Sequence, residues 1–474
     1  MDLTTGIAIV VVLGVLGQVV ARRVHLPSIL VLLALGLLVG PVTGILDPDA
    51  VFGSGLFPLV SLGVALLLFE ESLKLDFRRL RGGARRPVLG LVTIGAILTG
   101  IGATLAAWLV LDLSIGKAAV IGAILIVSGP TVVGPLLQII RPRERVSSVL
   151  AFEGIFIDPI GATIALTVAN VVLHEAAPRL FQTGLTGIGT GVVVAAVYVV
   201  VVRWGRIPPG TEVILAIAFA FVAFSIAEGI HEEAGLWATT FLGVALANQR
   251  FVDIEPLHEF GGHLGMLLVG SLFILLSARV ELDALVRYAG GTLIIVAILV
   301  LVLRPLVTSV ATVGSDLTRN EKGLVAWMAP RGIVAASTAS VFALEFEAAG
   351  DPFPQLVPVV FGVVLLTAIV YGLTGSAVAG RLGVRADDAE QLDADGVPVS
   401  VPGESTPRRT VVRLRGARER ADAKAAAERA GTVADTTAIR VDPPRAATWH
   451  RDPGSRTRAD RQAPEDPSAG PEPR

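Results

Sequence analysis

Residues 148–173 read SVLAFEGIFIDPIGATIALTVANVVL, a run long and apolar enough to cross a membrane. Yet Glu153 and Asp158 fall near its middle, and Pro159 follows the aspartate directly. An ionised side chain at bilayer depth costs at least ~2.5–3.5 kcal/mol and usually faces a cavity or a partner. The two acids are separated by about 140° around an α-helix, so they do not form one two-carboxylate face. They are expected to serve different partners: one a pathway, the other a fixed cation such as Arg331. Pro159 has no N–H, and its ring clashes with the carbonyl of Ile155, which frees that oxygen within a turn of Asp158. A carboxylate beside a freed carbonyl suits a hard cation or a proton.

The rest of the chain agrees with a membrane setting. Apolar residues make up 53% and charged residues 17%, and mean hydropathy is +0.71. Apolar runs of roughly twenty residues match a hydrocarbon core of about 30 Å. They fall near 5–21, 28–46, 55–73, 88–111, 116–139, 147–173, 184–202, 211–230, 234–249, 263–280, 289–310, 322–346 and 354–380. This predicts an all-α polytopic membrane protein of about thirteen transmembrane helices. The first run has no basic segment before it and no small-residue cleavage site after it, so it reads as a retained helix. The absence of cysteine excludes disulfides, thiolate metal sites and cysteine nucleophiles.

Alternate connections differ sharply in charge. ARRVHLP, KLDFRRLRGGARRP, RPRER, RWGRIPP, NQR and RPLVTSVATVGSDLTRNEK are crowded with Lys and Arg. The intervening set, including LDPDAVFGSG, EGIHEEAG and EFEAAGDPFP, is not. The positive-inside rule makes the basic set cytoplasmic, with the N-terminus outside and the C-terminus inside, in a multi-pass plasma-membrane protein. Residues 1–384 form the expected membrane domain. From 385 to 474 the composition turns to Pro, Asp, Arg, Ala and Gly, which predicts a solvated, largely disordered tail. A short helix is expected near GARERADAKAAAERA.

Two further runs are interrupted. SGPTVVGPLL (128–137) contains Gly129, Pro130, Gly134 and Pro135, and AWMAPRGIVAAS (326–337) contains Pro330, Arg331 and Gly332. Such elements are expected to unwind where they line protein or water, as is the turn at Pro159. One interrupted span in each half points to inverted repeats whose broken helices cross at the midplane. Other motifs fail. In HEFGGH (258–263) the histidines are five apart, not four, so a zinc-protease reading is rejected; no P-loop or Gly-x-Ser-x-Gly elbow is present. The expectation is a transporter, not an enzyme.

The chain closely resembles the NhaP-like (CPA1-type) monovalent cation/proton antiporters over roughly residues 5–384. The likeness lies in RRVHLPSILVLLALGLLVGP, LLLFEESLKLDFRRLR, SGPTVVGPLLQ, EGIFIDP and APRGIVA. It implies the Na+/H+ antiporter fold, with a dimerisation domain, a mobile core and a site where the two unwound spans cross beside the sixth. It implies that Asp158 binds either a proton or the cation, that Thr131 offers oxygen ligands to a transported Na+, and that Glu70 matches the third-span glutamate. Glu153 and Arg331 match a buried pair that holds the core together. No cofactor is implied beyond the transported cation and protons. The implied partners are Na+ or another monovalent cation, H+, membrane lipid and a second copy of the chain, and no nucleic acid. Two positions depart from the family pattern: Ile157 stands where Asn is usual, and Gly154 where Ser is frequent. The expected activity is exchange of Na+, or Li+, for protons. The alternatives are a K+/H+ exchanger or tail-gated K+ efflux system, and a channel or sensor without obligatory exchange.

Overall fold

The computed structural model describes residues 2–386 apart from His25, 78–82, 175–179, Arg206 and Pro209. The tail and its expected helix lie outside the described residues. Nine described helices are long and apolar enough to cross a membrane, and shorter apolar helices accompany them. A count of thirteen is reached only when short runs are counted and broken ones are joined. Apart from one antiparallel bridge, the described residues form no strands.

Two bundles are built from these helices. The first holds α1 (Leu3–Arg23), α2 (Ser28–Leu37), α3 (Pro48–Phe52), α4 (Leu56–Leu73), α10 (Leu180–Trp204), α11 (Thr211–Glu228), α12 (Ala234–Asn248) and α13 (Glu255–Ala278). The second holds α5 (Arg85–Gly90), α6 (Ala96–Leu111), α7 (Ile115–Ile124), α8 (Pro130–Ile140) and α9 (Glu144–Val172). It is completed by α14 (Leu282–Ile298), α15 (Arg304–Ala311), α16 (Arg319–Trp327), α17 (Ile333–Ala348) and α18 (Leu356–Leu382). Small residues set the closest helix approaches, because a helix surface without side chains lets backbones meet. At Gly14 a Cβ would stand 2.9 Å from the backbone carbon of Gly270, so α1 and α13 touch there by backbone.

The interrupted runs are broken, though over shorter stretches than the prolines suggest. α7 and α8 are separated by residues 125–129, and α16 and α17 by 328–332. Gly129 is extended and Pro130 is the first residue of α8, where its missing N–H costs no helical hydrogen bond. Gly134 and Pro135 lie inside α8, and Pro159 lies inside an unbroken α9 of 29 residues. The expectation that these three unwind is therefore corrected. Each proline removes one N–H, and the neighbouring turns hold the helix through that gap. The carbonyls of Thr131 and Ile155 still lose their i+4 donors, since Pro135 and Pro159 have no N–H to give.

The last described residues fold back on the α8–α9 connection. Pro142 and Arg385 form the antiparallel bridge. The N–H of Arg143 donates to Val384 O at 2.9 Å, and that of Ala386 to Arg141 O at 2.8 Å.

Candidate ion-binding site

Three backbones converge at the breaks. A Cβ built on Gly332 would lie 2.8 Å from Gly129 Cα, and one on Gly129 would lie 3.1 Å from Gly332 Cα. Their φ values of -63° and -115° suit any residue, so space demands glycine here, not conformation. We expect Gly332→Ala to push the breaks apart and to lower cation exchange at least tenfold while the protein still inserts. Wild-type rates in that variant, measured in everted vesicles, would refute the contact.

α9 lies against this crossing through one face. Gly154, Asp158 and Gly161 are spaced to share that face. A Cβ on Gly154 would sit 3.3 Å from Ser128 O, and one on Gly161 3.2 Å from Val127 N. Gly154 thus lets the break approach α9, which gives the departure from the usual serine a packing reason. Between the two glycines Asp158 is 0% exposed, and among the described residues neither carboxylate oxygen has a hydrogen-bond donor. Thr131 Oγ1, also buried, has no hydrogen-bond partner among the described residues. It stands beside the crossing, 3.3 Å from the Cβ position on Gly332. The N-termini of α8 and α17 both open from the breaks, and their positive ends favour a carboxylate there. Asp158 and Thr131 are brought together as expected, with spare oxygen valence that fits a small hard cation. Among the described residues no group of three or more His, Cys, Asp or Glu could hold a resident metal.

Ile157, the other departure, packs against Ile126 at the edge of the first break. It is buried in a small apolar cluster with Ala96, Ile126 and Ile164.

Glu153 does not pair with Arg331. Its carboxylate is held by Arg304, with Nη1 at 2.5 Å from Oε1 and Nη2 at 2.8 Å from Oε2. Arg304 Nε donates to Val325 O at 3.1 Å, so one guanidinium ties α9 to α15 and α16. Both partners are buried, and the two-point geometry suits a planar guanidinium. The sequence reading counts Arg304 with the basic connection RPLVTSVATVGSDLTRNEK, although the apolar run 289–310 already extends past it. The helix instead continues through a π turn, Leu299–Leu303, whose extra residue re-aims the turn that follows. Arg331 occupies the second break. Its backbone N–H donates to Thr367 Oγ1 at 3.3 Å, and its Nε has no acceptor among the described residues.

Glu70 is not gathered into the site either. Its carboxylate lies over Gly261 and Gly265 of α13, and Lys74 Nζ is 3.1 Å away. Glu71, one residue on and about 100° around the helix, is the acid that faces α8. Both its oxygens lie 3.9 Å from the Cβ position on Gly134. α4 is packed between α13 and the second bundle, so adjacent acids look in different directions.

The comparisons with known proteins bear on the family and the fold. Residues 7–380 match the family model described as sodium/hydrogen exchanger, transmembrane. The chain belongs to the sodium/hydrogen exchanger family. This bears out the resemblance to NhaP-like antiporters. This chain is 23% identical over 390 residues to a K(+)/H(+) antiporter from Alkalimonas amylolytica, a match spanning 79% of this chain and 65% of that one. It is 24% identical over 364 residues to Na(+)/H(+) antiporter 1 of Methanocaldococcus jannaschii, spanning 73% and 85%. The solved structure of a sodium proton antiporter from M. jannaschii at pH 8 superposes with a TM-score of 0.68 at 21% identity. That match covers 79% of this chain and 100% of the solved chain, and it establishes the antiporter fold.

Proposed function

We propose that this chain exchanges a monovalent cation, Na+ in the first instance, for protons, with both competing for Asp158. The observation that carries the reading is a fully buried carboxylate with no protein donor, set where two broken helices cross. An empty, ionised Asp158 is penalised at that depth, so the aspartate reorients only with a proton or a cation bound. Thr131 Oγ1 and the carbonyls lacking helical donors supply neutral oxygens around it. Arg331 compensates the aspartate's charge, and Glu153 with Arg304 braces the helices that carry the breaks. Glu70 enters this scheme only as a support of the first bundle.

Residues 1–384 act as the transport domain of a homodimer in the plasma membrane, with the basic connections cytoplasmic. A cavity of about 770 Å³ opens among the basic connections, on the face of α9 turned away from Asp158. It runs from Arg85, Arg86 and Asp316 on the basic connections to Phe156 of α9. Because proton and cation compete, the apparent cation KM should fall about tenfold per pH unit while Asp158 is mostly protonated, then level off as pH rises. Proteoliposomes of the purified protein, tested with Na+, Li+ and K+ across pH, measure this directly. A KM independent of pH would overturn the competition. K+ is the second reading, favoured by the K(+)/H(+) antiporter among the relatives, and the same panel separates the two.

A further inference from the structure

Opposite its ion face, α9 presents Phe152, Phe156 and Thr163 to the first bundle. The rings continue a series from Phe77 through Phe152 and Phe156 to Phe241 and Trp237 of α12, stacked except for the tilted Phe156–Phe241 pair, with centroid spacings of 6.0–6.3 Å. Apolar rings slide past one another without losing hydrogen bonds. The outer end of the series is different in kind. Trp237 Nε1–H donates to Thr163 Oγ1 at 2.9 Å, and the Thr163 hydroxyl donates in turn to Pro159 O at 2.7 Å. Thr163 is 0% exposed.

This bond acts on the turn that bears Asp158. Pro159 leaves the Ile155 carbonyl without its helical donor, and back-bonding by Thr163 loads the carbonyl of Pro159, a pattern that bends helices. The stretch from Ile155 to Thr163 is therefore the pliable part of α9. Trp237 is a firm anchor for it: α10 passes so close that a Cβ on Gly187 would stand 2.3 Å from Trp237 Cβ, and one on Gly184 3.7 Å from the indole. With Nε1–H pointed at Oγ1, the hydroxyl proton is committed to Pro159 O.

We infer that Trp237 is a positioning residue for the ion site, acting through Thr163 to set the curvature of α9 at Asp158 in this arrangement of the bundles. Relative movement of the bundles breaks the bond and releases that curvature, so cation affinity is tied to bundle position. The inference rests on the proposed cation binding at Asp158.

Trp237→Phe keeps a stacking ring and removes the donor, Thr163→Val removes the hydroxyl, and Thr163→Ser keeps it. The readout is the cation-induced rise in melting temperature of the purified full chain, titrated with NaCl, LiCl and KCl at fixed ionic strength. Trp237→Phe and Thr163→Val should each shift the apparent affinity by roughly three- to tenfold in the same direction. The double variant should add nothing further, and Thr163→Ser should keep wild-type affinity. Wild-type affinity in both single variants, additive shifts, or a Thr163→Ser that behaves like valine would each overturn the inference. If Trp237→Phe does not fold, the Thr163 pair decides alone. A wild-type chain with no response to any of the three cations defeats the reading of Asp158 itself, a distinct result.

Discussion

Asp158→Asn is expected to insert and assemble normally and to lose cation-dependent dissipation of a pH gradient, in everted vesicles or proteoliposomes, by at least a hundredfold. The amide keeps the shape of the buried side chain but cannot exchange a proton or offer a charge to the cation. Burial of the wild-type carboxylate without a protein donor is a standing cost, so removing it should leave thermal stability unchanged or raised. Loss of transport together with preserved stability is the signature of a carrier group. Full residual exchange would move the site elsewhere in the crossing.

The second large effect concerns Arg304. Removing one member of a buried ion pair strands the other and typically costs about 3–5 kcal/mol. Arg304→Ala should therefore lower the melting temperature and the folded yield strongly, as should Glu153→Gln to a smaller extent. Arg304→Lys keeps the charge but loses the two-point hold, and should rescue only in part. Arg331→Ala, with no ion pair to break, should fold far better than Arg304→Ala while transporting poorly. The reverse ranking in detergent melting curves would restore Arg331 as the partner of Glu153.

The residues that were legible, and those that were not, divide along physical lines. Asp158 stood out because charge is rare and costly at membrane depth, whatever surrounds it. The two breaks were visible because Gly-Pro and Pro-Arg-Gly clusters remove both donors and side-chain cover. Pro135 and Pro159 looked like further breaks, since a lost N–H is written in the sequence while the packing that tolerates it is not. Arg304 escaped because it was counted with the basic connection, whereas a π turn carries the helix on through it and buries the guanidinium. Choosing between Glu70 and Glu71 requires the rotation of α4 between its neighbours, a tertiary quantity that a single run of residues does not encode. Glu153 and Asp158 do meet different surroundings, because a 140° offset is local geometry; the identity of the cation facing Glu153 is not local.

The short bridge between Arg385 and Pro142 bears on how this chain can be cut or extended. Residues 384–386 are stitched to the link between the helix of Thr131 and the helix of Asp158. An affinity tag fused upstream of Ala386, or a shortened gene ending at Gly383, would unpick that stitch and disturb the carrier helix from behind. A gene ending at Ala386 leaves it intact.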